Sequence, residues 1–166
     1  MLKPAQLYTA ELKLKFWEIA YQDYFMFVND GYTDDYKPSD NTWSEHEFVS
    51  ISKDNKLLGY IRYGINQRHQ IANGFCAINF SDSIVFARDL YQAIDDIFCK
   101  YKYNKLKYGV FVGNPVEKTY DKLTQKYGGR LIGISYKDAK LIDGNYYDHK
   151  SYELFREDYI KNRNEK

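Results

Sequence analysis

Three strand-like segments follow one another between Ser44 and Phe80, separated only by short polar turns. Their sequences are SEHEFVSIS, LLGYIRYGI and IANGFCAINF, and the turns between them read KDNK and NQRHQ. Alternating runs rich in Val, Ile, Tyr and Phe are typical of strands, and turns this short join antiparallel neighbours. The stretch therefore predicts a three-strand antiparallel meander.

Helical periodicity appears on both sides of this meander. Before it, AELKLKFWEIAYQDYFMFV follows Thr9, a suitable N-cap, and repeats apolar residues at helical spacing. After the tripeptide SDS, a second segment places Phe86, Leu90 and Ile94 on one face, with most charged residues elsewhere. Each segment predicts an amphipathic helix that covers the sheet.

A third helix is predicted within GNPVEKTYDKLTQKYGG, residues 113–129. Asn114 suits the N-cap, Pro115 the first helical position and Glu117 the third, and Gly128 suits a left-handed stop. The short β run LKYGVFV precedes this helix. Two strands, RLIGISYKDAKL and YDHKSYELF, follow it around the Asp143–Gly144 turn, and we expect the final REDYIKNRNEK to fray.

This order of elements predicts an α+β fold. A mostly antiparallel mixed sheet would carry helices on both faces and one parallel pair in its middle. The chain has 166 residues, of which 44% are hydrophobic, and this size predicts a single domain over residues 1–166. Cys76 and Cys99 lie in apolar patterns and are interpreted as small core residues.

Charge and hydropathy exclude several kinds of partner. The net charge is +1, and no basic stripe alternates with the aromatic residues, so we expect no nucleic-acid binding. No apolar run reaches the roughly 18 residues of a membrane span. The sequence predicts a soluble cytoplasmic protein, monomeric or homodimeric, without a membrane partner.

The order of elements, together with NPVEKTYDKL and DGNYYDHKSYELFREDY, resembles the GCN5-related N-acetyltransferase (GNAT) superfamily. Tyr120-Asp121-Lys122 matches a Y-x-K pattern of that family, and the segment from Gly144 to Tyr159 resembles the ending of its Rim-type branch. The resemblance covers residues 7 to 160. It implies the acyl-CoA N-acyltransferase fold, in which a strand precedes the first helix, and the transfer of an acetyl group from acetyl-CoA to an amine of a peptide, protein or small molecule.

The resemblance also implies a role for Tyr120 as the general acid that protonates the leaving coenzyme A thiolate. The residues themselves allow another interpretation, in which Val116, Tyr120, Leu123 and Tyr127 form an ordinary core face. Asn114 likewise is either a helix cap or a coenzyme contact.

By resemblance, the pyrophosphate of the coenzyme would lie against the N-terminus of the second helix. The implied coenzyme-binding residues are Ile78, Asn79, Phe80, Ser81, Ser83, Ile84 and Val85. The family loop Q/R-x-x-G-x-G/A is replaced here by SDSIVFARD, which has no glycine. Ile84 and Val85 resist positive φ, Asp82 would repel a phosphate, and either Asp82 or Ser83 suits a plain N-cap. A non-catalytic GNAT-like domain is therefore the alternative hypothesis.

No general base is evident in the sequence. The strand FCAINF has no carboxylate where relatives often place one. An earlier strand carries Glu45, His46 and Glu47, which could reach a cleft, but alternation with Phe48 and Ile51 turns at least some of them to solvent, and we expect each of them at the surface. Water would suffice for an α-amino acceptor, whose pKa is about 7.7–8.0. The acidic residues near the expected acceptor site would suit a cationic amine or serve solubility; they are Asp30, Asp34, Asp35 and Asp40. His69 is expected in an exposed turn.

Overall fold

The computed structural model describes residues 1–20 and 36–163. Seven strands form one sheet in the order β1-β2-β3-β4-β5-β7-β6. The strands are β1 Leu2–Pro4, β2 Glu45–Ile51, β3 Leu57–Asn66, β4 Ile71–Asn79, β5 Lys105–Phe111, β6 Arg130–Lys140 and β7 Tyr146–Phe155. The α-helices are α1 Thr9–Ile19, α2 Ile84–Asp95, α3 Glu117–Lys126 and α4 Arg156–Arg163. A 3-10 helix, Ala5–Tyr8, precedes α1, and a π-helical segment, Asp96–Lys100, continues α2.

The sheet confirms the predicted fold class. Strands β2, β3 and β4 form the antiparallel meander, and β4 and β5 form the parallel pair. The strand that the family resemblance placed before the first helix is β1, which pairs with β2. The final hairpin is present, with β7 inserted between β5 and β6.

Helices cover both faces of the sheet. Adjacent strand residues point to opposite faces, so a strand such as β3 supplies apolar side chains to a cluster on either side. Tyr60 packs in a cluster with Leu12 and Phe16 of α1, whereas the neighbouring Ile61 packs in the larger cluster with α2 and α3. In α1, the apolar spacing buries Leu12, Phe16 and Ile19 as predicted. The remainder of the predicted first helix, from residue 21 onward, lies outside the described residues.

Three local predictions need correction. Thr9 begins α1 instead of capping it, and its hydroxyl donates to the carbonyl of Gln6 at 3.1 Å. Helix α3 begins at Glu117, two residues later than predicted, with Val116 instead of Asn114 as its N-cap. The expected fraying of REDYIKNRNEK is wrong over residues 156–163, because α4 packs Tyr159 into the core at 3% exposure.

The stop of α3 and the last hairpin turn follow the predicted glycine chemistry. Gly128 and Gly144 have φ of 73° and 84°, which L-residues with a Cβ rarely adopt. Within the described residues, no helix is both long and apolar enough to cross a bilayer.

The parallel strands β4 and β5 separate toward their C-terminal ends. Their register runs from Ile71–Lys105 and Ala72–Leu106 to a last pair, Phe75–Tyr108. The irregularity lies at Gly74, whose φ is 58°. Beyond the last pair the two strands flank a gap in the sheet.

Candidate active site

A cleft of about 560 Å³ opens where β4 and β5 separate. It extends from the gap between the strands across the neighbouring part of the sheet. The residues that line it include Cys76 and Ala77 of β4, Gly109 and Phe111 of β5, Tyr120 of α3 and His149 of β7.

Tyr120 reaches this cleft from α3. Its side chain is 5% exposed, and its ring packs edge-on against Tyr108 with centroids 5.4 Å apart. Burial raises the pKa of the Tyr120 hydroxyl, and interactions with Cys76 and Tyr108 act in the same direction. The phenol therefore keeps its proton at neutral pH, as a proton donor must. Tyr120 is also part of the core cluster, so both sequence interpretations describe its surroundings, and its catalytic role stays a prediction.

Hydrogen bonds fix the helix that carries Tyr120. The hydroxyls of Tyr108 and Thr124 lie 2.7 Å apart, and the Thr124 hydroxyl contacts the carbonyl of Tyr120 at 2.7 Å. On β7, the Tyr152 hydroxyl donates to Asp121 at 2.7 Å. Burial raises the pKa of Tyr108 to about 12, so this phenol also stays neutral. These bonds hold α3 against β5 and β7 and thereby set the position of Tyr120.

Asn114 also lines the cleft. Its Oδ1 accepts a hydrogen bond from the amide of Val116 at 2.9 Å, and Glu117 accepts one from the amide of Gly113 at 2.9 Å. The polar residues of the predicted capping box thus bond to the turn that leads into α3. The position of Asn114 on the cleft wall leaves its coenzyme contact as a prediction.

The other predicted coenzyme residues lie outside this cleft, at the end of β4 and the start of α2. Ile78 packs against α1 at 4% exposure, whereas Ile84 is 85% exposed. Phe80 also packs beside the α1 cluster. The Ser81 hydroxyl donates to the carbonyl of Leu58 at 3.1 Å.

Side chains occupy several amides at the predicted phosphate-binding turn. Asn79 Oδ1 accepts hydrogen bonds from the amides of Ser81 and Asp82 at 3.2 and 3.1 Å. Ser83 is the N-cap of α2, and its Oγ accepts from the amide of Val85 at 3.1 Å. The positive φ in this turn belongs to Asp82, at 49°. The N-cap interpretation of Ser83 is confirmed, and its coenzyme contact stays a prediction.

The three candidate bases on β2 have other partners. Glu47 is buried, which makes its predicted surface position wrong, and accepts hydrogen bonds from Tyr36, Tyr60 and the amide of Ser39 at 2.6, 2.5 and 2.7 Å. His46 Nδ1 lies 3.0 Å from the Tyr63 hydroxyl, and burial lowers the pKa of this imidazole.

Glu45 lies 3.9 Å from Arg62, a half-buried residue that lines the cleft. Burial and the nearby Glu47 raise the pKa of Glu45, and Arg62 opposes this shift.

The acidic segment before β2 is described in part. Asp40 pairs with Lys37 at 3.4 Å, and both side chains are exposed. Asp30, Asp34 and Asp35 lie outside the described residues. His69 is exposed in the β3–β4 turn, as predicted, and its amide donates to Asn66 at 3.1 Å.

Sequence reasoning missed several polar residues of the cleft, among them Arg62, Lys107, His149 and Ser151. Alternation in YDHKSYELF separates His149 and Ser151 from Lys150 and Tyr152, but it does not reveal which strand lies beside them. Because β7 pairs with β5, His149 lies opposite Phe111 at the cleft. Cys76, interpreted as a core residue, is half-buried and lines the same cleft.

No protein-family model matches the chain, and comparison with curated proteins gives no match. Solved structures do match. Mutant forms of the spermidine/spermine N-acetyltransferase SpeG from Vibrio cholerae share 28% identity over 74% of this chain and 72% of theirs, with a TM-score of 0.61.

Two further solved structures extend over nearly the whole chain. A chimera of SpeG from Vibrio cholerae and hSSAT covers 96% of this chain and 97% of its own, with 22% identity and a TM-score of 0.72. The match to a probable GNAT-family acetyltransferase from Chromobacterium violaceum covers 96% of this chain and 88% of the other chain, with 14% identity and a TM-score of 0.70.

Fold and cleft together define an acyl-CoA N-acyltransferase architecture. This architecture and the solved structures that share it support the predicted resemblance to the GCN5-related N-acetyltransferase superfamily. The more specific resemblance to the Rim-type branch stays a prediction.

Proposed function

We propose that this protein transfers the acetyl group of acetyl-CoA to a primary amine of a small molecule, peptide or protein. The observation that carries the proposal is the position of Tyr120, a buried and protonated phenol on the wall of a gap between two parallel strands. The similarity to spermidine N-acetyltransferases supports amine acetylation as the reaction class.

The described residues fit the thioester end of acetyl-CoA. The gap between β4 and β5 exposes strand edges beyond the Phe75–Tyr108 pair, where backbone groups can bond to an extended pantetheine chain. Ala77, Gly109 and Val110 give the cleft small or apolar walls. When bound, acetyl-CoA supplies an activated acetyl group.

The phosphate end has one favourable feature, which is the N-terminus of α2. Its helix dipole favours an anion regardless of the side chains present. The side chains of Asn79 and Ser83 already accept hydrogen bonds from backbone amides of this turn. A pyrophosphate would therefore either compete with these side chains or bind beside them. We therefore place the phosphates at this turn as a proposal and expect weaker binding than a glycine loop provides.

In this mechanism Tyr120 donates its hydroxyl proton to the sulfur as the carbon–sulfur bond breaks. Its buried environment disfavours a persistent phenolate, so the hydroxyl must regain a proton within the same turnover. The fixed position of α3 holds the hydroxyl in place throughout.

Thermal melting with acetyl-CoA tests the proposal directly. A ligand at 100 times its Kd stabilises the folded protein by about 2.7 kcal/mol. For a chain of this length we expect Tm to rise by roughly 5–10 °C. Release of the coenzyme A thiol on adding an amine then tests transfer itself, with an acetyl-CoA sample lacking protein as the control.

A second candidate function is a non-catalytic binding or regulatory domain. The hydrogen bonds that Asn79 Oδ1 and Ser83 Oγ accept from amides of the α2 turn favour it, because a phosphate would use the same amides. An unchanged Tm at millimolar acetyl-CoA would support this alternative and contradict the transferase.

A further inference from the structure

The imidazole of His149 lies across the strand that separates β7 from the gap. Residue 149 pairs with Phe111 of β5, and the two rings meet edge-on with centroids 5.2 Å apart. The ring also covers Gly109, because a Cβ added there would lie 2.3 Å from His149 Cε1 and 2.6 Å from Nε2. Since β4 lies on the other side of β5, the Nε2 edge extends from β7 toward the gap.

The other ring nitrogen faces its own strand. Nδ1 lies 3.4 Å from the Ser151 hydroxyl, two residues along β7. A hydrogen bond from Nδ1–H to this oxygen would favour the tautomer in which Nε2 carries a lone pair. That nitrogen is the one that lies over Gly109 at the cleft.

His149 and Tyr120 approach the gap from opposite faces of the sheet. Along β7, Lys150 pairs with Glu117 of α3, and Tyr152 bonds to Asp121 of the same helix. Alternation therefore points His149 away from α3. A thioester held between β4 and β5 would meet Tyr120 on one side and His149 on the other.

We propose that His149 is the general base of the acetyl transfer, taking a proton from the acceptor ammonium so that a neutral amine attacks. This inference rests on the function proposed above and assigns a role to a residue that the sequence did not single out. The site thus has an acid on the face of the sheet that α3 covers and a base on the opposite face.

Protons and electron pairs balance with these two groups. The ammonium loses its first proton to His149 Nε2, which passes it to solvent, and the nitrogen lone pair then forms the bond to the acetyl carbon. The carbon–sulfur bond breaks, its electron pair goes to sulfur, and Tyr120 gives its proton to that sulfur. The second proton leaves the new amide nitrogen and restores the Tyr120 hydroxyl. One proton is released per acetyl group transferred.

The charged and titratable groups around His149 favour this role. Lys107 of β5, Arg62 of β3 and Cys76 of β4 line the same cleft. Farther along β7, Glu153 binds Lys105 and Arg130. Two cationic side chains on the cleft favour the neutral form of a bound amine over its ammonium form.

The substitution His149→Gln tests the proposal, with His69→Gln as the matched control in an exposed turn. The measurement is kcat/KM between pH 5.5 and 9 with acetyl-CoA and either spermidine or a short peptide with an α-amino group. We expect His149→Gln to lower kcat/KM about 100-fold at neutral pH, as loss of a general base does. The acidic limb of the kcat/KM profile should also move toward the pKa of the acceptor amine in His149→Gln, whereas His69→Gln should retain the wild-type profile.

A second measurement follows the histidine itself. The Cε1 proton resonance of His149, identified by its loss in His149→Gln, should shift when acetyl-CoA and the acceptor are added, while that of His69 stays unchanged. A thermal melt of each variant reports whether it is folded. A resonance that does not respond would overturn the assignment even if a misfolded variant made the kinetics useless.

The outcomes separate the two proposals. If wild-type protein neither binds acetyl-CoA nor acetylates either amine, the transferase itself fails. If wild-type protein is active and folded His149→Gln keeps its kcat/KM and pH profile, the transferase stands and the role of His149 is refuted.

Discussion

Asn79 Oδ1 accepts a hydrogen bond from the amide of Asp82 at 3.1 Å, and Asp82 adopts a left-handed φ of 49°. An asparagine side chain therefore holds the turn that would carry phosphate in the proposed complex, and a carboxylate lies at the same turn. Glycine is not required for positive φ here, because Asp and Asn tolerate this region better than other residues with a Cβ.

Asp82→Asn should tighten acetyl-CoA binding. The change removes a negative charge beside the proposed phosphate position and keeps a side chain that tolerates positive φ. An interaction of about 0.3–1 kcal/mol corresponds to a roughly 2- to 5-fold lower Kd at low salt. Calorimetric titration measures it, and the effect should shrink in high salt. Asp54→Asn, in the exposed β2–β3 turn, is the control. Equal affinities for the two variants would place the phosphates elsewhere.

Tyr120→Phe should lower kcat by roughly 100-fold or more, because it removes the proton donor and leaves the ring in the core. The Kd for acetyl-CoA should change little. Steady-state kinetics and titration calorimetry separate the two effects. Tyr127→Phe, a buried residue near the end of the same helix, should retain kcat. Full activity of Tyr120→Phe would show that Tyr120 has only a structural role.

Gly109→Ala should displace the His149 ring. The new Cβ would lie 2.3 Å from Cε1 of that ring and 2.8 Å from the carbonyl of Lys150. We expect a loss of about 1–3 kcal/mol of stability, typical of overpacking, and lower kcat/KM. Thermal melts measure the first effect. Gly133→Ala is the control, because nothing lies within 4 Å of its added Cβ. In a His149→Ala background the penalty should become smaller, and an unchanged penalty would show that the ring is not the obstacle.

Acid stability should depend on Glu153. Its carboxylate accepts hydrogen bonds from Lys105 at 2.7 Å and Arg130 at 2.6 Å, and these partners hold the pKa of Glu153 below its usual value. A lowered pKa in the folded state adds stability above the unfolded-state pKa, and this contribution is lost as pH falls through the folded-state pKa.

Glu153→Gln should therefore cost about 2 kcal/mol at pH 7, the value of hydrogen bonds to a charged group. The cost should diminish in acid, where the wild-type carboxyl also becomes neutral. Melting curves at pH 7 and pH 3 give the comparison, with the exposed Asp138→Asn as control. If Glu153→Gln lost the same amount of stability relative to wild type at pH 7 and at pH 3, the electrostatic explanation would be contradicted.

Local patterns predicted the types of element well. Alternation identified β2 to β4, and helical spacing identified the buried face of α1 and the amphipathic α2. Gly128 and Gly144 marked a helix stop and a turn correctly, because positive φ is a local requirement of the backbone. The boundary of α3 was less accurate, since the capping side chains bond to a turn before the helix.

The sequence alone did not predict how the polar residues of the sheet are used. Glu47 was expected at the surface because it is charged, although it alternates in register with buried apolar residues of β2. Tyr36 and Tyr60 donate hydrogen bonds to its carboxylate and make its burial tolerable. The final segment was expected to fray because its own pattern is weak. Packing of Tyr159 against Phe98, with ring centroids 4.7 Å apart, supplies the stability that the segment lacks by itself.

The order and kind of the elements, the position of Tyr120 on a helix after β5, and the resemblance to the acetyltransferase superfamily all followed from the sequence itself. Backbone conformation and the buried face of an element depend on nearby residues, so these features can be read from one segment at a time. Tertiary structure decided that β7 lies beside β5 and that His149 thereby reaches the gap opposite Tyr120. Which strands pair depends on contacts between residues that are distant in the chain. The hydrophobic periodicity within one segment therefore cannot predict the pairing.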